Sequence, residues 1–337
     1  MSGQAGDPTL AGAEAALATI EAHVPETPLI RSEALSRAFD ADIWLKLDCA
    51  TATASFKLRG ALCDLLRAEA RGGTSGLGGG VVASSSGNHG QGVAYGARLL
   101  GRSADIFLPE GTNALKQGMI RAYGGRVHVV GADIDYAREA AIRYAEDNGL
   151  YFVNDGISLD IMEGAATMAA EIARRLDGID YLIIPVGGGN LTAGCAAVIA
   201  EAQPGCKTIG VQPEGAPVIV RSFLEGRPLE VPGESFADGL VSRVTVPFAF
   251  EVFCRHVADG WLCGEGPIKA AVHSLAECAH LLAEPSGAAG LAAAWERRAL
   301  LKGKRVVLPI TGGNSSMDQF REALATPPLF TLAEAVD

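Results

Sequence analysis

Lys57 lies in the run Ser55-Phe56-Lys57-Leu58-Arg59-Gly60, just after a strand-like segment (Asp42 to Leu47) and at the start of a helix-like one. A lysine beside an aromatic ring at such a junction is placed to hold the aldehyde of a cofactor as an imine. One Ser-Phe-Lys tripeptide carries little alone, because lysine is mostly a solvated surface residue. Three further stretches supply context: Ser85-Ser86-Gly87-Asn88-His89-Gly90, Gly187-Gly188-Gly189-Asn190-Leu191 and Thr311-Gly312-Gly313-Asn314.

The triple glycine follows an apolar run, Asp180 to Val186, and precedes a helical one. Backbone N–H groups and the helix dipole at such a turn hold a phosphate, and glycine lets it approach closely. No Lys-Ser/Thr pair follows, which excludes the ATP-binding P-loop. A dinucleotide fingerprint is excluded too, since GxGxxG with an acid about 20 residues on is missing. Ser85, Ser86, Gly87, Asn88 and His89 occupy a second strand-to-helix turn. Such a turn offers N–H groups and short polar side chains to an anion such as a substrate carboxylate, although Ser and Asn are also ordinary helix caps and His89 an ordinary core histidine. Thr311 and its two glycines close the last apolar strand, so three small polar turns fall at the ends of predicted parallel strands and point to one crevice.

The elements that must position these turns alternate. Residues 10 to 22 have helical spacing, and proline breaks the chain into an extended segment at Thr27-Pro28-Leu29. From Val81 the pattern reads strand 81–85, helix 89–100, strand 104–108, helix 113–123, strand 126–130, helix 134–148 and a strand near 151–153. Then come helix 163–176, strand 180–186, helix 191–203, strand 207–211, a loop-rich stretch over 225–245, helices near 266–283 and 287–299, and strand 305–310. Alternation of this kind predicts parallel sheets flanked by helices, an α/β fold.

At 337 residues the chain is long enough for about two domains. Its net charge of −11 argues against a nucleic-acid surface, which needs clustered Lys and Arg, and leaves small-molecule chemistry. Seven cysteines without a CxxC pair read as core thiols of a reducing cytoplasm. Met1 to Pro8 lacks the basic start and apolar run of a signal peptide. The charge-free stretch from Tyr181 to Ala200 is interrupted by Pro185, three glycines and Asn190, so it reads as strand, loop and helix rather than a membrane span.

Taken in order, Ser55 to Ala61, Ser85 to Gly90, Gly187 to Leu191, Ala237-Asp238-Gly239-Leu240, Glu284-Pro285-Ser286-Gly287-Ala288 and Thr311 to Asn314 resemble the threonine/serine dehydratase (ammonia-lyase) group of fold-type II pyridoxal-phosphate (PLP) enzymes. The resemblance runs from about Thr27 to Asn314. It implies a tryptophan synthase β-like architecture of two domains, each with a mainly parallel twisted sheet: a large one from 1–50 and 155–337 and a small mobile one from 51–154. It also implies a cytoplasmic homodimer that acts on an amino acid.

Carried over by residue, the resemblance implies that Lys57 holds PLP as a Schiff base and that Phe56 packs on its ring. Asn88 bonds the ring hydroxyl, Gly187, Gly188, Gly189, Asn190 and Leu191 hold the phosphate, and Thr311 faces the pyridine nitrogen. Ser85, Ser86, Gly87, Asn88 and His89 close on the substrate carboxylate, and Ser86 or the cofactor phosphate protonates the leaving group. The implied reaction is β-elimination from a 3-hydroxy amino acid such as threonine or serine, giving a 2-oxo acid and ammonia. The alternatives are β/γ-replacement or phosphate elimination, as in threonine synthase, or a bulkier or acidic substrate. Glu284 and Asp238 are expected near the cofactor without an assigned role.

The sequence departs from the group at several points. Thr311 stands where relatives have Ser or Cys, Ala54 where they have Gly, and Asn190 where they have a fourth glycine. Glu163-Gly164 is similar to threonine synthase, whereas Leu58 is similar to the dehydratases. Gln212 and Val218 occupy positions where serine racemases place acidic metal ligands, so no metal site is expected. A chain of this length is also expected to lack the C-terminal regulatory domain of biosynthetic threonine dehydratases.

Overall fold

The computed structural model describes residues 6–72, 76–85 and 87–331. Two sheets organise them. The larger has six strands in the order β1-β2-β10-β7-β8-β9, with β1 Leu29–Arg31, β2 Asp42–Leu47, β7 Tyr181–Pro185, β8 Lys207–Pro213, β9 Asp259–Cys263 and β10 Arg305–Ile310. The smaller has the order β5-β4-β3-β6, from β3 Gly80–Ser84, β4 Ser103–Leu108, β5 Gly125–Val129 and β6 Tyr151–Phe152. Pairing is parallel throughout except at the β1 edge, which runs antiparallel to β2.

Period-two alternation explains why the central strands read as continuous apolar runs. On β7, Leu182 and Ile184 enter one core while Ile183 enters the other, and on β10 Val307 opposes Val306 and Leu308 in the same way. Both faces are covered, by α7 (Leu159–Arg175) and α8 (Asn190–Ala202) on one side and α11 (Glu265–Ala279) and α12 (Pro285–Glu296) on the other. In the small sheet Val81 and Ala83 pack with α4 (Asn88–Leu99), whereas Val82 faces α6 (Ile134–Asn148).

Several elements were not anticipated from the sequence: α2 (Glu33–Phe39), α9 (Val218–Glu225), α10 (Pro247–His256), β9 and α14 (Met317–Ala325). All are short, and helices of two or three turns owe their existence to packing more than to intrinsic propensity. The cysteine expectation is corrected in part. Cys63, Cys195 and Cys263 are buried thiols, but Cys254 on α10 is exposed. Among the described residues no helix is long and apolar enough to cross a membrane.

The helix that carries Lys57, α3 (Lys57–Arg71), bridges two hydrophobic clusters. Ala61, Leu65 and Ala68 belong to the core of the small sheet, and Leu58, Leu62 and Cys63 pack with Ala16 and Ile20 of α1 (Leu10–Ile20). It crosses α7 at minimal separation. A Cβ on Gly60 would come within 2.7 Å of the Ile161 carbonyl, and one on Gly164 within 2.8 Å of the Arg59 carbonyl. Glu163 beside it pairs with Arg67 of α3 at 2.5 Å, so the Glu163-Gly164 pair belongs to this helix crossing.

Below Lys57 a buried polar network fixes the helix. The Arg59 guanidinium donates to Asp48 (2.6 and 3.1 Å), Glu171 (2.7 and 2.8 Å), the Thr167 hydroxyl (3.0 Å) and the Thr27 hydroxyl (3.0 Å). Lys46 of β2 donates to Glu171 and to the Thr27 carbonyl, the latter at 2.7 Å. Burial lowers the Lys46 pKa, with its carboxylate neighbours opposing; for Arg59 the two carboxylates outweigh burial and raise it. Removing one member of such a cluster leaves buried charge without a partner. Arg59→Ala is therefore expected to lower stability by about 3–5 kcal/mol, read as a fall in the urea midpoint. Arg59→Lys, which keeps the charge but loses the fork, should recover only part.

Candidate active site

Four helices begin at one crevice, none of them capped by the side chain of its own N-cap residue: α3 at Lys57, α4 at Asn88, α8 at Asn190 and α12 at Pro285. Their positive dipole ends suit an anionic ligand, and the first-turn N–H groups of α4 and α8 can be given to it, whereas at α3 Lys57 N–H already donates to Ser55 Oγ at 3.3 Å and Leu58 N–H to the Ser55 carbonyl at 3.4 Å. Contacts between the turns bring these ends together. The Asn88 amide donates to Glu284 Oε1 at 2.8 Å, joining α4 to α12. Phe56 N–H donates to the Thr311 carbonyl at 2.9 Å, joining α3 to the end of β10. The Lys57 ammonium meets Asp155 at 3.0 Å, and the Asp155 carbonyl accepts from the Asn190 amide, joining α3 to α8.

The turn before Lys57 is held from several sides. Ser55 N–H donates to the Thr51 hydroxyl at 2.9 Å, and that hydroxyl donates to the Ser55 carbonyl at 2.8 Å. Gly313 N–H donates to the Ala54 carbonyl at 2.9 Å. Ala54 sits at φ +50°, in the left-handed region that costs an L-residue roughly 1–2 kcal/mol. Only a chain fixed on both sides keeps that conformation.

The glycine turn has the shape of a phosphate cradle. Gly189 is at φ +101°, a conformation that disfavours any side chain. A Cβ on Gly187 would lie 3.0 Å from the Gly239 carbonyl, which packs the Asp238-Gly239 segment behind the turn, while one on Gly188 would project into open space. Asn190 Oδ1 is buried without a hydrogen-bond partner among the described residues. Leu191 is buried in the core beneath α8, so only its backbone reaches the turn.

Asn88 is oriented by two neighbours, since Asn314 donates to its Oδ1 at 2.8 Å and also to the Thr53 carbonyl at 2.7 Å. With one amide hydrogen on Glu284, Asn88 retains a second to give. Ser85 accepts from Gly87 N–H at 3.2 Å and shapes the loop. Ser86 lies outside the described residues. His89 is buried, 3.9 Å from Asp155, and neither ring nitrogen has a partner among the described residues. Burial lowers its pKa, with Lys57 adding to the effect and Asp155 opposing it, so the ring is neutral.

Two acids matter that the sequence left without a role or did not select. Asp155 feels burial pushing its pKa up, but the Lys57 ammonium, by its charge and its hydrogen bond, outweighs this and holds it well below the ordinary carboxylate range. Glu284 goes the other way, to about 8, because burial and then nearby Asp238 outweigh the hydrogen bond from Asn88. Asp238 itself pairs with Lys116. Asn314 was visible in the Thr311 motif but not assigned to the site, and Asp155 stood in a loop with no motif to mark it. Gln212, read as the residue standing in for a metal ligand, instead caps α9 by accepting from Ile219 and Val220 N–H at 2.8 and 2.9 Å.

The comparisons agree with this geometry. Residues 20–312 match the family model described as pyridoxal-phosphate dependent enzyme. The chain belongs to that family. It is 34% identical over 310 residues, 91% of this chain and 75% of the other, to the L-threonine ammonia-lyase of Thermotoga maritima. In three dimensions it is similar to the processed form of threonine deaminase isoform 2 from Solanum lycopersicum, with TM-score 0.85, 29% identity, and coverage of 96% of this chain and 95% of that one. It is similar also to maize serine racemase, with TM-score 0.88, 26% identity, and coverage of 95% and 98%. The protein is therefore a PLP-dependent enzyme of the fold-type II class, a lyase by its relatives. The open glycine turn, the uncapped α8, the spare Asn88 hydrogen and the crevice-facing Lys57 all fit that cofactor.

Two outcomes are expected. Gly188→Ala should weaken PLP affinity by about tenfold or more, roughly 1.4 kcal/mol, while leaving the thermal midpoint of the cofactor-free protein unchanged. Glu284 keeps its proton to about pH 8 in the fold, against an ordinary value of 4.5. The folded state thus binds the extra proton between these values, and stability falls as pH rises through that window. The thermal midpoint of cofactor-free protein should drop more from pH 6 to pH 9 in the wild type than in Glu284→Gln.

Proposed function

We propose that this chain is an ammonia-lyase that deaminates a 3-hydroxy amino acid, with threonine or serine as substrate, to a 2-oxo acid and ammonia. The observation that carries the proposal is Lys57 at the convergence of four helix N-termini, in a chain 34% identical to a threonine ammonia-lyase. PLP, when bound, supplies an electron sink that makes the Cα–H bond acidic.

The chain's own residues do the rest. Lys57 holds the aldehyde and, once released beside the substrate, takes the Cα proton. The N–H groups from Gly187 to Leu191 receive the phosphate. The spare Asn88 hydrogen goes to the ring oxygen, Phe56 supports the ring, and the Thr311 hydroxyl faces the ring nitrogen. A neutral hydroxyl there cannot hold a proton on that nitrogen by ion pairing, which favours prompt elimination over transamination. Ser85, Gly87, Asn88 and His89, with Ser86, receive the substrate carboxylate, and Ser86 or the phosphate protonates the departing hydroxyl.

Residues 51–154 are proposed to move as the smaller domain, closing Ser85 to His89 on the substrate, and the working form is proposed to be a cytoplasmic homodimer. The alternative is β/γ-replacement or phosphate elimination, as in threonine synthase; the Glu163-Gly164 pair that is similar to that enzyme serves here in the packing of α3 on α7. Purified enzyme should absorb in the imine region and release ammonia and 2-oxo acid in equal amounts from threonine or serine. Lys57→Ala should lose both properties; deamination that survives it, or a product containing an added nucleophile, would remove the proposal.

A further inference from the structure

We propose that Asp155 selects the substrate by its side chain, favouring a 2-amino acid that bears an ammonium on Cβ and rejecting one that bears a carboxylate there. The proposal deepens the deamination reading and rests on it. Asp155 faces the crevice, with 34% of its side chain exposed, and lies 3.0 Å from Lys57. Its loop does not follow Lys57. The Asp155 carbonyl accepts from Asn190 of α8, and the Asn154 side-chain oxygen accepts from Gly156 N–H at 3.1 Å and from Arg138 at 2.8 Å.

Two duties of Lys57 therefore conflict. It is the ion-pair partner of Asp155, yet its nitrogen must bond the aldehyde carbon and then carry a proton to and from the substrate. Whenever that nitrogen is engaged, the Asp155 carboxyl stands beside the reacting atoms with the charge that keeps it ionised withdrawn. The groups around it replace that charge only in part: buried His89 is neutral, Glu284 is largely protonated near pH 7, Asp238 is tied to Lys116, and the Arg138 guanidinium acts on Asp155 from its hydrogen bond to the Asn154 side-chain oxygen. A cationic substituent on the substrate supplies the missing charge. An anionic one brings a second negative charge against the Asp155 carboxylate and is repelled.

The test incubates holoenzyme with L-serine, L-threonine, L-2,3-diaminopropionate and 3-hydroxyaspartate, measuring 2-oxo acid and ammonia separately. Elimination from the diamino acid transfers the Cα proton to a base and breaks the Cβ–N bond, whose electron pair leaves on nitrogen. One water then releases the α-nitrogen. Two ammonia molecules thus form per 2-oxo acid, against one from serine. The expected kcat/KM for the diamino acid exceeds that for 3-hydroxyaspartate by about a hundredfold, and Asp155→Asn narrows this ratio by about tenfold or more.

Calorimetry supplies a readout apart from turnover. L-2,3-diaminopropionate should bind Lys57→Ala holoenzyme about tenfold more tightly than it binds the Lys57→Ala, Asp155→Asn double variant. If serine is deaminated but Asp155→Asn leaves both the ratio and this affinity unchanged, the assignment of Asp155 is overturned and deamination stands. If no compound yields 2-oxo acid, deamination itself fails and the calorimetric comparison alone decides on Asp155. Should Asp155→Asn lose the cofactor, Asp155→Ser in the same assays decides.

Discussion

The fork of Arg59 between Asp48 and Glu171 is the constraint on which the rest of the molecule depends. Asp48 follows β2, Glu171 lies on α7, and Thr27 precedes β1, so one guanidinium ties the large sheet and its covering helix to the first turn of α3. Lys57 is two residues away, on the same turn. Buried charges of this kind contribute little net stability compared with well-packed apolar groups, but they tolerate only one arrangement of their partners. Gly60 and Gly164 add a second restriction, because backbones in contact leave α3 no room to tilt toward α7. A reactive amine needs a fixed origin, and these two features supply it from below.

Above that base the site is arranged by backbone more than by side chains. The first turns of α4, α8 and α12 lack side-chain caps, and the segments linking them to α3 are held by carbonyl and amide contacts such as Phe56 to Thr311 and Gly313 to Ala54. The two carboxyl groups within this field have opposite characters. Asp155 is ionised by a neighbouring ammonium, whereas Glu284 is kept protonated by burial at the start of α12. Each therefore offers a different hydrogen-bonding capability at one pH, which is how a single crevice can handle both charge and neutral polar groups.

The parallel sheets and the placement of three turns at strand ends were legible because buried strands of β7 and β10 type leave continuous apolar runs and glycine clusters mark their ends. The antiparallel β1 edge appeared only as an extended segment at Pro28, since three residues carry too little pattern to show direction. Short elements such as β9 and α10 were invisible for a related reason: their sequences fit several structures, and packing against α11, α12 or α8 decides. Within the site, motif residues were legible and their connections were not. Asp155 sits in a loop without periodicity, and its partnership with Lys57 spans 98 positions of sequence. Ala54 was noticed as a missing glycine, but only the backbone angle explains why glycine is the usual occupant.

The convergence of four helix starts has a practical consequence for handling the protein. Those dipole ends repel one another unless something negative lies between them. Sulfate or inorganic phosphate in a purification buffer would occupy that position in apoprotein, steadying it against heat while slowing reconstitution with vitamin B6. Storage in a chloride or organic-acid buffer of low affinity is then the condition under which the cofactor's own contribution to folding becomes measurable.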